Sequence, residues 1–227
     1  MTSKCLLCQS TIIHELRPQE ILAGKKLMPE YLCQRCRAEF QLIRKPCCPT
    51  CGRSGSIKQC QDCQMWQQQG YSNFQHRALF KYNTAMHDYF KRYKRYGDYH
   101  LRLVFQPYLL RALRHFSPPF IYVPSDFQHW QSRQFDPVWG LFSEIVKLTP
   151  ALIKLPTTKA QAQKSRQERM QAPQFLQFNP QYTSVLQAQQ ITILDDIYTT
   201  GRTIFHVHDC LRQQGYTGKL VSLSLAR

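Results

Sequence analysis

Apolar residues in the middle of the chain recur at helical spacing. Between Asn83 and Tyr96 they lie three or four positions apart, at Met86, Tyr89, Phe90 and Tyr93, which predicts an amphipathic helix. Gly97 ends this pattern, and Asp98 can cap a second helix that runs to His115. The apolar stripe of the second helix consists of Leu101, Val104, Phe105, Tyr108, Leu109 and Ala112.

Short apolar runs with strand character follow these helices. The run from Pro119 to Pro124 predicts a buried strand, and the segment from Val138 to Leu148 predicts the helix after it. Leu152 to Leu155 predicts a second short strand. The basic, glutamine-rich stretch from Thr157 to Phe178 has no apolar stripe, so it is either a flap or hairpin over a site or a solvated, disordered loop.

The most informative segment runs from Ile191 to Ile204. It begins as a buried parallel strand, has two acidic residues where the strand ends, and continues through a loop of hydroxyl residues and one glycine into a helix. Strands that alternate with helices predict an α/β fold, a parallel sheet with helices on both faces. Ligands of such sheets bind at the carboxyl ends of the strands, which is where the acidic pair lies.

Cysteines are concentrated at the start of the chain. Nine of the ten fall in the first 63 residues, and eight form four Cys-x-x-Cys pairs: Cys5 and Cys8, Cys33 and Cys36, Cys48 and Cys51, Cys60 and Cys63. This spacing lets both thiolates of a pair reach one tetrahedral zinc ion at about 2.3 Å, whereas disulfides are rare in a reducing cytosol. We therefore expect two structural zinc ions in a zinc-ribbon domain at residues 1–68, followed by a second domain at 69–227.

The spacing alone leaves the pairing of the four motifs open. Consecutive pairing is the simplest arrangement, with Cys5, Cys8, Cys33 and Cys36 on one ion and Cys48, Cys51, Cys60 and Cys63 on the other. An interleaved arrangement would instead join the first pair to the fourth and the second to the third. Cys47 can also replace Cys48, since its distance in sequence from Cys51 is compatible with ligation. Either way, four sulfurs leave no open position for an activated water.

The composition excludes several classes of protein. Hydrophobic residues make up 43% of the chain, which is more than disordered chains have, and no apolar run reaches the ~20 residues of a membrane span. The first residues lack the apolar stretch of a secretory signal. We therefore expect a cytoplasmic protein without membrane insertion.

The charge predicts a polyanionic partner. The formal net charge is +16, and although a basic protein need not bind nucleic acid, this excess favours encounter with it. On the first predicted helix, tyrosines alternate with the basic residues Lys91, Arg92, Lys94 and Arg95. Rings that stack on bases and cations that follow phosphates are typical of single-stranded DNA binding. The alternative is that the tyrosines pack in the core and the basic residues form a solvated face.

The acidic pair and its loop predict a site for a phosphorylated sugar. Asp195 and Asp196 can accept hydrogen bonds from ribose hydroxyls, or hold Mg²⁺ that bridges them to a diphosphate. A glycine, hydroxyl donors and the free N–H groups of a helix start can bind a phosphate. The candidate phosphate-binding residues are Thr199, Thr200, Gly201, Arg202 and Thr203. The alternative is a helix cap beside incidental acids.

The stretch from Leu194 to Thr203 resembles the phosphoribosyl-pyrophosphate loop of type I phosphoribosyltransferases. With the cysteine-rich start, nearly the whole chain is similar to the ComF family of late competence proteins, which are required for DNA uptake in natural transformation. The resemblance implies a phosphoribosyltransferase-like sheet after a double zinc ribbon. It also implies ribose contacts from Asp195 and Asp196, a 5′-phosphate site at 199–203, and partnership with the DNA-translocating competence ATPase, which would bring the protein to the inner face of the membrane.

Other family features recur in order. They are Lys94 with Gly97 and Asp98 after the first helix, Val123 and Pro124 at the start of the diphosphate loop, and Lys154, Thr158, Gln161 and Arg169 in the flap. The chain departs from the family in one motif, where Gln134 and Asp136 replace a glycine and an asparagine after Arg133. A side chain in place of glycine and a negative charge near a diphosphate both predict weaker diphosphate binding.

Two functions fit these features. One is a DNA-uptake protein that binds single-stranded DNA and phosphoribosyl pyrophosphate with Mg²⁺. The alternative is an active phosphoribosyltransferase of unknown acceptor, in which Arg133 or Lys154 would stabilise the leaving diphosphate. A zinc-dependent regulator that reads nucleic-acid sequence is a third reading, but the sequence has no recognition-helix signature.

Overall fold

The computed structural model describes residues 3–13, 30–71, 74–125, 127–156, 165, 168 and 170–227. Its strands are β1 (Gln75–Phe80), β2 (Phe120–Tyr122), β3 (Leu148–Thr149), β4 (Leu152–Lys154), β5 (Leu176–Phe178), β6 (Gln190–Ile197) and β7 (Lys219–Ala226). Five of them form an all-parallel sheet in the order β1-β7-β6-β2-β3, while β4 and β5 pair antiparallel in a separate hairpin.

Helices lie between the strands. The α-helices are α1 (Gln34–Ala38), α2 (Gln61–Gln68), α3 (Thr84–Phe90), α4 (Gln106–Leu113), α5 (Phe127–Arg133), α6 (Pro137–Phe142) and α7 (Arg202–Gln213). A π-helical turn (Lys91–Arg95) continues α3, and 3₁₀ helices occupy Tyr99–Phe105 and Pro180–Gln187. Within the described ranges, no helix is long and apolar enough to cross a membrane.

Both faces of the parallel sheet are buried, and successive residues of β6 alternate between two cores. Leu194 points into a core formed with α3, α4 and α6, whereas Ile193 points into a core formed with α7. A strand covered on both faces has apolar residues at nearly every position, which is the pattern of β6 from Ile191 to Leu194, where Thr192 is the one polar residue. The predicted α/β fold with helices on both faces is therefore confirmed.

The register of the sheet brings two strand ends together. Tyr122 of β2 pairs with Leu194 of β6, so the chain leaves β2 beside the point where β6 reaches Asp195. On its other side, Asp195 pairs with Ser224 of β7. The acidic pair and the segment after β2 therefore share one edge of the sheet.

The predicted helices are present, with shorter regular segments. Asn83 caps α3 by accepting a hydrogen bond from the Met86 backbone N–H at 3.0 Å. The predicted helix from Asp98 to His115 is divided into the 3₁₀ helix and α4, and Pro107 lies in the first turn of α4. Proline has no N–H and is tolerated in a first turn but not in a helix interior, which explains the division. The helix predicted from Val138 to Leu148 ends earlier, because α6 stops at Phe142.

The second predicted short strand, from Leu152, belongs to the hairpin and not to the main sheet. In that hairpin Leu152 pairs with Phe178 and Lys154 with Leu176. The base of the predicted flap is thus a hairpin. Three of the residues predicted to bind in the flap lie outside the described residues, namely Thr158, Gln161 and Arg169.

The cysteine-rich segment packs on both faces of the sheet. Cys5 and Cys36 lie in the core that α3, α4 and α6 share, whereas Cys48 and Cys63 lie in the core of α7. The division at residue 68 stays a prediction. The two predicted domains nevertheless share their buried side chains, because each half of the cysteine-rich segment completes one core of the sheet.

Candidate functional site at the end of β6

The acidic pair lies where β6 ends. The Asp195 side chain is only 7% exposed, and its Oδ1 accepts a hydrogen bond from the Asp196 backbone N–H at 2.8 Å. Burial, and next the charge of Asp196, raise the pKa of Asp195 to about 8 from the usual 3.8. Burial raises a carboxyl pKa because the ionised form loses its hydration. Asp195 therefore binds a proton more readily than an exposed carboxylate does.

Two lysines offset the charge of the acidic pair. The Lys94 ammonium group lies 2.5 Å from Oδ2 of Asp196, and both side chains are mostly buried. Lys94 is supplied by the π-helical turn after α3, a local helix form that is frequent at functional sites. Lys94 and Lys154 both act to lower the pKa of Asp195, against the larger effect of burial. The resemblance implied a place for both lysines in the site, and the structure brings both near the acidic pair.

The predicted phosphate loop connects β6 to α7. Gly201 has φ +89°, a backbone conformation that side chains rarely adopt, and an added Cβ would lie 2.4 Å from the Tyr198 hydroxyl oxygen. Thr200 is buried, and its Oγ1 accepts a hydrogen bond from the Arg202 N–H at 3.4 Å. Thr199 is exposed and Thr203 is half-buried. A glycine is therefore required here both by conformation and by space.

The Arg202 side chain points away from the backbone of its own loop. Its Nε donates to the Ala172 carbonyl at 3.1 Å, and its guanidinium lies 5.8 Å from the centre of the Trp66 ring. Arg202, one of the five residues predicted to bind phosphate, thus uses its side chain for contacts with neighbouring segments of the chain. Its backbone N–H donates to the Thr200 hydroxyl within the loop.

Sequence reasoning missed Trp66. This residue of α2 is 2% exposed, and its indole N–H donates a hydrogen bond to the Thr200 carbonyl at 2.8 Å. The tryptophan lies three positions after Cys63, one helical turn away, but nothing in the sequence connects it with a loop that begins at Thr199. The contact joins the helix that contains Cys63 to the phosphate loop.

The family departure at Asp136 has a structural role. Its Oδ1 accepts hydrogen bonds from the Val138 and Trp139 N–H groups at 2.9 Å, which caps α6, and its Oδ2 accepts from the Ser125 N–H at 2.5 Å. Burial raises the pKa of Asp136, while these backbone hydrogen bonds lower it. The carboxylate predicted to repel a diphosphate is thus engaged by backbone donors and holds the segment after β2.

The departure at Gln134 also has a local explanation. Gln134 has φ +61°, a conformation in which glycine is favoured. It follows α5, donates its N–H to the Trp130 carbonyl at 2.7 Å, and returns its side-chain amide to the Gln131 carbonyl. The side chain therefore folds back on its own helix. The position at which the family resemblance implies a glycine is thus a helix end with a left-handed backbone.

The cysteines form two four-sulfur clusters. The first contains Cys5, Cys8, Cys33 and Cys36, and the second contains Cys48, Cys51, Cys60 and Cys63; within each, the sulfurs lie within 4.8 Å of one another. Tetrahedral zinc with Zn–S bonds of about 2.3 Å requires sulfur separations of about 3.8 Å. The observed separations of 3.6 Å, between Cys51 and Cys60, and 3.9 Å, between Cys48 and Cys63, fit this value. Each cluster could hold a zinc ion.

The clusters follow the consecutive pairing. The interleaved arrangement does not occur, and Cys47 is not a member of either cluster. The two clusters differ in access to solvent. Cys8 of the first cluster is exposed, whereas all four residues of the second cluster are buried.

The four basic residues predicted to bind DNA have different surroundings. Arg92 donates to the Leu7 carbonyl at 2.9 Å and pairs with Asp98 at 2.8 Å. It therefore connects the segment between Cys5 and Cys8 to the π-helical turn after α3. Lys94 pairs with Asp196. Their side chains have partners within the chain.

Of the other two basic residues, Arg95 is exposed and Lys91 is half-buried. The Lys91 ammonium lies 5.8 Å from the centre of the exposed Tyr96 ring. Tyr89 and Tyr93, by contrast, are almost fully buried, as the core alternative for the tyrosines expected. An exposed basic and aromatic surface therefore remains around Lys91, Arg95 and Tyr96.

Comparison with known proteins relates these sites to a family. No protein-family model matches the chain. The chain is 34% identical over 215 residues to "Competence protein ComFC" of Streptococcus pneumoniae (strain ATCC BAA-255 / R6), covering 93% of this chain and 94% of that protein. It is 27% identical over 233 residues to "Competence protein ComFC" of Bacillus subtilis (strain 168), covering 98% of this chain and 94% of that protein.

Proposed function

This chain belongs to the ComF family of competence proteins, and from that premise we propose that it acts in DNA uptake during natural transformation. In this proposal the site at the end of β6 binds phosphoribosyl pyrophosphate with Mg²⁺. Single-stranded DNA binds the basic surface, and the DNA-translocating ATPase of the competence machinery is the protein partner. The two clusters hold structural zinc.

One observation carries the ligand proposal: the acidic pair and the phosphate loop stand next to each other at the carboxyl end of a central strand. Asp195 and Asp196 lie within the last three residues of β6, and α7 begins after Gly201. The helix start offers backbone N–H groups to a phosphate, and carboxylates are ligands that Mg²⁺ and ribose hydroxyls accept. A phosphate group and a sugar separated by a few bonds match this arrangement.

The charges around the acidic pair support a ligand that brings its own cation. Two adjacent carboxylates repel each other. Burial, and next this repulsion, raise the pKa of Asp195. A divalent cation bound with a diphosphate can replace the proton on Asp195 and neutralise both carboxylates. Lys94 and Lys154 would then be available to the negative oxygens of the diphosphate.

The test is calorimetric titration of phosphoribosyl pyrophosphate with Mg²⁺ into the zinc-loaded protein. We expect binding by the wild type and at least a tenfold loss in the Asp195→Asn, Asp196→Asn double variant. Asp88→Asn is the matched control, because Asp88 is an exposed carboxylate on α3. Absence of binding by the wild type would refute the ligand proposal, as would equal binding by the double variant.

The DNA proposal rests on the net charge of +16 and on the exposed surface around Lys91, Arg95 and Tyr96. Replacing Lys91 and Arg95 with alanine should weaken binding to a single-stranded oligonucleotide. The slope of log affinity against log salt should fall by about 1.4, which corresponds to two phosphate contacts on a single strand. Arg111 and Arg114, which are exposed on and just after α4, give the control double variant. An equal loss in both double variants would mean that net charge alone governs binding.

The ATPase partnership rests on family membership alone. It is tested by co-purification of the zinc-loaded protein with the competence ATPase at low salt. Retention of the ATPase is the expected result, and its complete loss with intact protein would remove this partner from the proposal.

A further inference from the structure

We propose that Trp66 is a positioning residue for the phosphate loop and that, through it, the second cysteine cluster is part of the ligand site. This inference rests on the proposed phosphoribosyl ligand. It starts from the hydrogen bond between the Trp66 indole N–H and the Thr200 carbonyl, which joins residues 134 positions apart in the chain. Both residues are buried, at 2% and 4% exposure, so the bond is shielded from competing water.

The hydrogen bond fixes the orientation of one peptide plane of the loop. The Thr200 carbonyl and the Gly201 N–H belong to the same planar trans peptide unit and point in opposite directions. Holding the carbonyl toward the indole therefore turns the Gly201 N–H away from Trp66. Gly201, with φ +89°, is a residue whose flanking peptide planes can rotate at little cost, so an external anchor decides the direction of this N–H. Backbone N–H groups are what a phosphate binds in such a loop.

The position of Trp66 depends in turn on the second cluster. Cys60 is the residue that precedes α2, Cys63 lies in its first turn, and Trp66 follows one turn later. The Trp66 ring also packs against Phe205 of α7, with ring centres 4.5 Å apart, and against Tyr71 at 5.6 Å. A metal held by Cys60 and Cys63 fixes the start of α2 and therefore the height and direction of the indole above the loop.

The two contributions of Trp66 can be separated chemically. Phenylalanine retains an aromatic ring against Phe205 but has no N–H, so Trp66→Phe removes the hydrogen bond to Thr200 and keeps most of the packing. Tyr71→Phe is the matched control. It removes the hydroxyl that donates to the Asp209 carboxylate at 2.8 Å and that also interacts with the Arg202 side chain, but it leaves the hydrogen bond from Trp66 to the Thr200 carbonyl in place.

The first measurement is the affinity for phosphoribosyl pyrophosphate with Mg²⁺ by calorimetry, in zinc-loaded wild type, Trp66→Phe and Tyr71→Phe. We expect a five- to tenfold loss in Trp66→Phe, the size of one buried hydrogen bond, and less than a twofold change in Tyr71→Phe. Hydrogen exchange of the peptide that contains Thr199 to Thr203 should be faster in Trp66→Phe than in either other protein. Equal affinity and equal exchange in all three proteins would overturn the inference.

The second measurement tests the coupling to the metal. If metal binding and ligand binding favour the same loop, each must strengthen the other by the same factor. Phosphoribosyl pyrophosphate with Mg²⁺ should therefore lower the equilibrium loss of one of the two zinc ions to a competing chelator in wild type and in Tyr71→Phe, but not in Trp66→Phe. Zinc loss that the ligand leaves unchanged in the wild type would overturn the coupling. A wild type that does not bind the ligand at all would instead refute the proposed function.

Discussion

His76 gives the protein a built-in sensitivity to acid. The ring lies on β1 at 6% exposure, and its two nitrogens contact the Ser222 hydroxyl at 2.8 Å and the Ser224 hydroxyl at 3.1 Å on β7. Its other neighbour is the Tyr198 ring, stacked at 4.0 Å just before the phosphate loop. Burial, and next the positive charge of Arg227, lower the pKa of His76 well below the usual 6.5.

The sign of the pH effect follows from this shift. The unfolded chain binds a proton at His76 below about pH 6.5, whereas the folded protein binds it only at a lower pH, so the contribution to stability is present above pH 6.5 and lost as the pH falls below it. Each pH unit between the unfolded and the folded pKa costs about 1.4 kcal/mol, so the loss between pH 7 and pH 5 is at most about 2 kcal/mol. Loss of zinc from the thiolates adds a separate acid sensitivity.

Urea unfolding of wild type and His76→Gln at pH 7, 6 and 5, with saturating zinc, separates the two effects. Acid sensitivity of the clusters is common to both proteins and cancels in the difference of their unfolding free energies. We expect that difference to shrink from pH 7 to pH 5, by at most about 2 kcal/mol. His87→Gln, which changes an exposed ring, should follow the wild type. A difference between wild type and His76→Gln that does not change with pH would refute the reasoning.

Three further predictions concern the site and the clusters. Gln134→Gly should raise the unfolding free energy by about 0.5–1 kcal/mol in chemical denaturation, because a left-handed residue costs more as glutamine than as glycine; an unchanged or lower value would contradict this. Asp195→Asn should make the ligand-free protein more stable at pH 8 in thermal unfolding, and this gain in stability should fade toward pH 4. The reason is that the folded protein disfavours ionised Asp195 at every pH between the usual carboxyl pKa and the raised pKa of about 8. A gain of equal size at pH 4 would count against burial of the charge. A chelator should remove zinc in two phases of equal amplitude, followed with a metal indicator, because Cys8 of the first cluster is exposed and the second cluster is buried. Loss of both ions in a single phase, in the wild type and also in Cys8→Ser, would exclude this difference in access between the clusters.

The acidic pair and its loop could be predicted because their signals are local. A buried strand, two acids and a glycine follow one another within a few residues, so β6 and α7 place them at one end of the sheet. The same holds for the Cys-x-x-Cys pairs, whose spacing fixes the ligand geometry inside each pair. The consecutive arrangement of the pairs was the simplest hypothesis, and the structure agrees with it.

Features that depend on distant contacts could not be predicted. The hydrogen bond from Trp66 to Thr200 is created by the packing of α2 on α7, and no periodicity in either segment contains it. Similarly, the role of Asp136 depends on the Ser125 N–H, which arrives from the segment after β2. From the sequence Asp136 was an isolated charge, and in the fold it is an acceptor surrounded by donors.

The pairing of β1 with β7 has a consequence for biosynthesis. His76 and Ser222, which meet across these strands, are 146 positions apart, so the ribosome synthesises β1 long before its partner strand. At ~5–20 residues per second this interval lasts roughly 7–30 seconds. During that time both cysteine clusters can already bind metal, while the residues that β6, α7 and β7 contribute to the two cores have not all been synthesised. Both cores of the sheet therefore close only after residue 226 has been synthesised.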